Sequence, residues 1–146
     1  MQKITPFLWF DGKAEEAANF YVSLFKNAKI VSASAMSTTF EIDGRQYIAF
    51  NGGPMFKFTE AISFQVNCES QAEVDHYWTK LAEGGDPSAQ QCGWLKDRYG
   101  VSWQIVPTAL VEMLNDPDAT KSQRVMTAML QMKKIDIAAL RRAAAG

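Results

Sequence analysis

The sequence predicts an α+β fold: two βαβββ modules that form a cupped mixed sheet, followed by a helical C-terminal tail. Three observations support this prediction. The chain begins with a strand followed by a helix, the order of elements repeats after residue 58, and strand signals stop after residue 107. We therefore expect one domain of residues 1–146, with module one at about 1–58, module two at about 59–107 and the tail at 108–146.

The first module begins with a bulky, aromatic-rich strand, Ile4 to Phe10. Apolar residues then recur at helical spacing from Ala14 to Phe25, which predicts a helix packed on one face. Three strand segments follow, in Lys29 to Ser37, Thr39 to Ile42 and Gln46 to Phe50. Asp43-Gly44, between the last two, is typical of a two-residue hairpin turn.

The second module repeats this order. Ala61 to Cys68 predicts a strand, and Ser70 with Glu73 forms a capping box that opens a helix to about Leu81. Short strands are expected around Gln90 to Lys96 and from Val101 to Val106, with a turn at Asp97 to Gly100 between them. Duplication of one βαβββ unit explains the repeat.

The tail has a different composition. Three helices are predicted, at Leu110 to Leu114, Ala119 to Met132 and Ile135 to Ala144. A methionine-rich apolar stripe runs along the second of them, and we expect it to pack against the sheet or a second subunit. The alternative is a helix that binds another partner.

Composition excludes several partners. The net charge is −1 and acids and bases alternate along the chain, so no basic stripe is available for nucleic acid. The apolar segments are strand-sized and none is long enough for a membrane span. Without a leader peptide or paired cysteines, the chain is expected in the cytoplasm with Cys68 and Cys92 reduced.

Alternation along the strands identifies candidate binding residues. In Ala61 to Cys68 one face is apolar, whereas the other carries Gln65 and Asn67, and the last strand places Gln104 opposite its apolar face. The same parity places Tyr47 with Ala49. Tyr47, Gln65, Asn67 and Gln104 are therefore candidates for a pocket, and the alternative is an ordinary sheet face in contact with water.

Several segments together resemble one known family: Ile4 to Phe10, Ala14 to Tyr21, Asn51-Gly52-Gly53-Pro54, and Gln91-Cys92-Gly93-Trp94 through Gln104 to Pro107. They are similar to the PhnB-like group of the vicinal-oxygen-chelate superfamily, whose members carry the name 3-demethylubiquinone-9 3-methyltransferase domain. The superfamily includes glyoxalase I, bleomycin-resistance proteins and extradiol dioxygenases. The resemblance extends into the Met-rich tail. It implies the glyoxalase/bleomycin resistance/dioxygenase fold and a homodimer with pockets near the subunit contact.

The resemblance also shows which metal ligands this chain lacks. Metal-dependent relatives supply histidine from the first and fifth strands and glutamate from the strand that ends each module. Here the first strand has no histidine, the fifth begins at Ala61, and the corresponding positions later are about Tyr47 and Gln104. We predict no metal and no cofactor. The single histidine, His76, is expected on the second helix, away from the site.

We weigh three functions. The first is metal-free binding of a small organic molecule by Tyr47, Gln65, Asn67, Trp94 and Gln104, with Phe56 and Phe58 adding apolar contact unless they pack in the core. The second is an enzyme: a metal-dependent lyase or dioxygenase, a methyltransferase as the family label says, or a metal-free enzyme that uses Glu60, Cys92 or Asp97. No glycine-rich nucleotide loop supports the methyltransferase label, and Asp97 is more easily explained as a turn residue that accepts hydrogen bonds from backbone N–H groups. The third is a dimeric interaction protein.

Overall fold

A computed structural model describes residues 2–146. It contains two compact units, one ending at Phe58 and the other formed by Thr59–Gly146. The first unit has one helix and four strands: β1 (Phe7–Phe10), α1 (Ala14–Leu24), β2 (Ala28–Ala33), β3 (Ser37–Ile42) and β4 (Arg45–Asn51). The predicted βαβββ order of the first module is thus confirmed.

The first sheet has the strand order β1-β4-β3-β2, with β1 parallel to β4 and the other pairs antiparallel. The predicted hairpin turn is confirmed, because Asp43 and Gly44 both have positive φ angles, 50° and 79°. The helix α1 begins where the Asn51 Oδ1 accepts a hydrogen bond of 2.9 Å from the Ala14 N–H. A residue at the end of β4 therefore satisfies a free donor at the start of α1.

The second unit contains three strands and four helices: β5 (Phe64–Cys68), α2 (Gln71–Ala82), β6 (Trp94–Lys96), β7 (Ser102–Pro107), α3 (Thr108–Leu114), α4 (Ala119–Met129) and α5 (Ile137–Ala145). The sheet order is β5-β7-β6, with β5 parallel and β6 antiparallel to β7. The predicted cap of α2 is confirmed, since the Ser70 side chain accepts a hydrogen bond from the Glu73 N–H. The three predicted tail helices are present, but α4 ends at Met129 rather than at Met132 and α5 begins at Ile137 rather than at Ile135.

The second module differs from the predicted βαβββ order by one strand. After α2 the chain forms a 3₁₀ turn at Pro87–Ala89 and a single bridge between Gln91 and Trp94 instead of a further strand. Asp86 caps this turn by accepting from the Ser88 N–H, and Pro87 has no N–H to donate to a ladder. The local chemistry at Asp86-Pro87 therefore favours a turn where duplication predicted a strand.

The tail is integral to the second unit. Its helices bury a cluster of Leu110, Val125, Ile135 and Leu140, against which Val106 of β7 also packs. The segment between α4 and α5 accepts hydrogen bonds from the start of β6: Cys92 N–H donates to the Met132 carbonyl at 2.7 Å and Gly93 N–H to the Lys133 carbonyl at 2.8 Å. We call this segment, residues 130–136, the tail strap.

Candidate functional site

Four of the five predicted site residues lie on one face of the second sheet. Strand register pairs Gln65 of β5 with Gln104 of β7, and Gln104 with Trp94 of β6. Paired residues project from the same side of a sheet, and Asn67 lies two residues along β5 from Gln65. We call Gln65, Asn67, Trp94 and Gln104 the amide face.

The opposite face of this sheet is covered by α2. Leu95, Trp103 and Ile105 alternate with the amide-face residues and are 1%, 4% and 0% exposed. The buried side of α2 carries Val74, Trp78 and Leu81. By contrast, Gln65 and Asn67 are exposed and Trp94 and Gln104 are half-buried. The alternation predicted from the sequence therefore assigns these faces correctly.

The side-chain amides are partly satisfied by one another. The Gln65 Nε2 donates to the Asn67 Oδ1 at 2.9 Å, and the Gln104 Nε2 donates to the Ser63 Oγ at 3.0 Å. Ser63 immediately precedes β5 and was not among the predicted site residues, although the same alternation would have found it. Ser102, two residues before Gln104, is 2% exposed, and its Oγ has no hydrogen-bond partner among residues 2–146.

An ion pair lies beside the amide face. Lys96, two residues after Trp94 on β6, approaches the Glu60 carboxylate to 2.7 Å. The hydrogen bond from the Lys96 ammonium is the main cause that lowers the pKa of the Glu60 carboxyl from its ordinary value. Both charges thus already have a partner of opposite sign.

Tyr47 does not share this environment, and the expectation that its side of β4 is the open one is wrong. Its ring stacks on Phe40 with centroids 5.2 Å apart, and Phe40 in turn contacts Tyr21 of α1. Ala49, on the same side of β4, is fully buried. Every position from Tyr47 to Phe50 is apolar or aromatic, so alternation separated the two faces of β4 without showing which one the helix covers.

The open face of the first sheet carries aromatic residues instead. Trp9 contacts Phe50 at 5.4 Å and Phe56 at 4.9 Å between ring centroids, and Phe7 contacts Phe50 at 5.2 Å. Phe7 and Phe56 are still 56% and 59% exposed. Phe58, the other aromatic proposed as a ligand contact, packs on the buried Phe10.

The glycine pair after β4 supports Trp9 and is not a nucleotide loop. A Cβ added to Gly52 would lie within 2.5 Å of three Trp9 ring atoms, and the indole Nε1 donates to the Gly53 carbonyl at 2.9 Å. The described chain continues from there without a helix before residue 71. Gly52 is thus required so that the Trp9 ring can lie against the backbone.

The residues considered for metal-free catalysis have structural surroundings. Asp97 is 2% exposed and its carboxylate accepts from the N–H groups of Tyr99 and Val101, at 2.8 and 3.1 Å. This confirms its interpretation as a turn residue. Cys68 was not among these candidates, and burial raises the pKa of its thiol to about 12, which leaves it protonated and a poor nucleophile near neutral pH. Cys92 has a φ angle of 38° and holds the tail strap through its N–H.

The expected metal positions do not fit a divalent ion. Gln104 offers a neutral carboxamide, Tyr47 lies on the helix side, and Ala61 precedes β5 rather than opening it. Within residues 2–146, no group of three or more histidine, cysteine, aspartate or glutamate side chains is placed to hold a metal ion. His76 is exposed on α2, with its ring 4.8 Å from that of Tyr77.

A separate groove of about 310 Å³ lies among the tail helices. Its lining includes Met113, Lys121 and Arg141, and none of the five predicted site residues.

None of the helices in residues 2–146 combines the length and apolarity needed to cross a membrane.

Comparison with known proteins identifies the family. A family model described as 3-demethylubiquinone-9 3-methyltransferase matches residues 2–106. The chain belongs to this family. The PhnB protein from Bacillus cereus, whose description carries the same methyltransferase name, is 40% identical over 73% of this chain and 99% of that chain, with a TM-score of 0.65. The family expected from the sequence is therefore confirmed, although the family match ends at residue 106, before the tail.

More distant structures confirm the fold class. A glyoxalase/bleomycin resistance protein from Albidiferax ferrireducens is 14% identical over 73% of this chain and 98% of that chain, with a TM-score of 0.52. The fosfomycin resistance protein FosX from Listeria monocytogenes is 17% identical over 73% and 93%, with a TM-score of 0.53. At these identities the likeness shows the glyoxalase/bleomycin resistance fold alone. The curated proteins give no match.

Proposed function

We propose that this member of the 3-demethylubiquinone-9 3-methyltransferase family binds a small, partly aromatic organic molecule on its amide face, without a metal ion. The observation that supports this proposal is the register of the second sheet. It aligns Gln65, Gln104 and Trp94 side by side on three neighbouring strands. Binding sites commonly combine apolar or aromatic contact area with a few placed polar groups.

The chemistry of these side chains is suited to orientation rather than to bond cleavage. Carboxamides both donate and accept hydrogen bonds near neutral pH without changing charge. The Trp94 indole can stack on a planar ligand. The acids near this sheet are already engaged, Glu60 by Lys96 and Asp97 by its own turn, so neither favours an enzymatic alternative over binding.

The proposal is tested by recording ¹H–¹⁵N NMR spectra of the full chain against a library of small aromatic compounds. We expect binders to shift the Trp94 indole resonance and the side-chain amide resonances of Gln65 and Asn67. Gln104→Ala should weaken binding about tenfold, the cost of roughly one hydrogen bond made to a ligand. Gln123→Ala, which removes an exposed amide on α4, is the matched control and should leave affinity unchanged.

Metal dependence is checked in the same experiment. Adding zinc, nickel or manganese, or a chelator, should change neither the affinity nor the melting temperature, because a metal bound by the folded state would raise that temperature. A chelator-sensitive melt would contradict the metal-free part of the proposal. Binders that shift only residues of the tail groove, or a library without any binder, would contradict the location or the function itself.

The expected homodimer is likewise a proposal. It is supported by apolar side chains of the first unit that are exposed in the whole chain, among them Ile4 at 81%, Phe7 at 56% and Phe56 at 59%. Exposed apolar patches of this kind are typical of surfaces that bind another molecule.

A further inference from the structure

We infer that the ligand of the amide face is an uncharged planar compound with a hydrogen-bond donor and an acceptor on one edge, such as an aromatic carboxamide or lactam. This inference rests on the proposed function and adds the chemical class of the ligand. It follows from three properties of the face: the hydrogen-bonding groups left over, the charges around them, and the surroundings of Trp94.

The carboxamide groups of the amide face that remain available for hydrogen bonding include both donors and acceptors. After the Gln65–Asn67 bond is made, the Gln65 Oε1 and the Asn67 Nδ2 have no partner within residues 2–146. Each carboxamide nitrogen carries two N–H groups, so one Gln65 N–H also stays open, and exchanging oxygen and nitrogen in both side chains again leaves one carboxamide oxygen and three N–H groups without a partner. Gln104 adds a second carboxamide oxygen and one further N–H group, since Ser63 accepts from only one of its two. A ligand edge with a donor beside an acceptor satisfies this pattern, whereas a carboxylate can only accept.

The neighbouring charges do not favour an anion. Lys96 is the cation beside the face on β6, and Glu60 already neutralises it at 2.7 Å. Glu69, which directly follows β5, adds a carboxylate that accepts from the Thr108 hydroxyl at 3.3 Å. A carboxylate or phosphate ligand would lose hydration and would have to compete with Glu60 for Lys96, which costs free energy.

Trp94 lacks the aromatic neighbours that hold the rings of Trp9 and Trp103. Those two contact Phe56 and Phe64, respectively, at 4.9 and 5.2 Å, whereas no other ring lies against Trp94 among the described residues. Its indole is half-buried beside Gln104, its partner in the strand register, and has no aromatic ring of residues 2–146 stacked on it already. A planar ligand can stack there while its polar edge meets the amides.

The test uses isosteric pairs that differ in charge: benzamide with benzoate, nicotinamide with nicotinate, and 2-naphthamide with 2-naphthoate. Each is titrated into the ¹⁵N-labelled full chain up to its solubility limit, and the Trp94 indole and side-chain amide resonances are followed. We expect the carboxamide of each pair to bind about tenfold or more tightly than its carboxylate. Asn67→Asp, which replaces both Asn67 N–H donors with a carboxylate of about the same size, should weaken carboxamide binding by a similar factor, while Gln123→Ala should not.

The outcomes separate the inference from the proposed function. Carboxylates that bind at this face as tightly as the carboxamides would overturn the ligand class and leave the binding function standing. If none of the six probes shifts these resonances, the inference fails, and the wider library then decides whether the face binds any small molecule.

Discussion

Asp97 organises the connection between β6 and β7. One carboxylate oxygen accepts from the N–H groups of Tyr99 and Val101, and the other accepts from the Trp103 indole at 2.9 Å. The residue is buried, so these bonds replace its hydration. A single side chain therefore fixes both the turn and the orientation of a core tryptophan in the neighbouring strand.

Asp97→Asn is expected to lower the free energy of unfolding by about 2–3 kcal/mol, because an amide nitrogen would face a backbone or indole donor and the charge-assisted bonds would be lost. Urea denaturation measures the change. Asp43→Asn is the matched control: asparagine tolerates the positive φ of that exposed hairpin position, so the change should stay within about 0.5 kcal/mol. Equal effects of the two substitutions would contradict the role assigned to Asp97.

Residue-level prediction from the sequence succeeded where a strand alternates between polar and apolar side chains. The residues on either side of Gln65, Asn67 and Gln104 in the sequence are apolar. The apolar face of these strands was therefore clearly the one to be buried. At Tyr47 this contrast is missing, because Ile48 and Phe50 on the other face of β4 are apolar as well. Which side of β4 the helix α1 covers depends on packing among α1, β3 and β4. The alternation of residues within β4 alone does not contain this information.

At the scale of secondary structure, the contact between the start of β6 and the tail strap depends on one glycine. Gly93 has a φ angle of 91°, and a Cβ there would lie 3.3 Å from the Ile105 carbonyl oxygen and 3.4 Å from the Ile135 Cγ1. Its own N–H and carbonyl are both hydrogen-bonded, to Lys133 and Ile105. The backbone at this position cannot easily move away.

Gly93→Ala and Gly100→Ala form a matched pair. Both glycines have nearly the same φ angle, 91° and 88°, but a Cβ on Gly100 would meet nothing within 4 Å. Alanine should therefore impose a similar backbone cost at both positions, with about 1–2 kcal/mol of additional destabilisation at Gly93 from overpacking. Thermal or urea unfolding compares them. Equal losses would mean that the tail strap yields to the added methyl group.

Elements with a local start signal were predicted well. The α2 cap and the Asp43-Gly44 hairpin are encoded within four residues, and the structure confirms both. The strand expected after α2 rested on analogy with the first module, and Asp86-Pro87 forms a turn there. Local chemistry in that segment outweighed the internal repeat.

At the scale of the whole molecule, the tail forms hydrogen bonds and an ion pair with α2, in addition to its apolar contact with Val106 of β7. The Gln71 side chain both donates to the Ile135 carbonyl at 3.0 Å and accepts from the Ile137 N–H at 2.8 Å. Lys134 of the tail strap pairs with Asp75 of α2 at 2.8 Å. The family match nevertheless ends at residue 106, so these contacts stabilise the family domain from outside it.

Deleting residues 108–146 should destabilise the second unit by about 2–4 kcal/mol, because Val106 loses its apolar neighbours and the N–H groups of Cys92 and Gly93 lose their acceptors. Hydrogen exchange followed by mass spectrometry should show faster exchange in residues 91–106. The internal control is the first unit, in which protection of β1 to β4 should be unchanged. Full protection of the second unit after deletion would instead make the tail a separate docking element.

The Gln71 contacts to Ile135 of the tail strap and to Ile137 of α5 span 64 and 66 positions along the chain. During synthesis, the first unit has all of its own residues available once Phe58 has left the ribosome, and it can begin to fold early. The buried cluster of the second unit includes Leu140, so it can form only after about residue 140 has emerged from the ribosome. Until then, Val106 and Ile135 cannot be buried in that cluster, and the nascent second unit is vulnerable to proteases and aggregation.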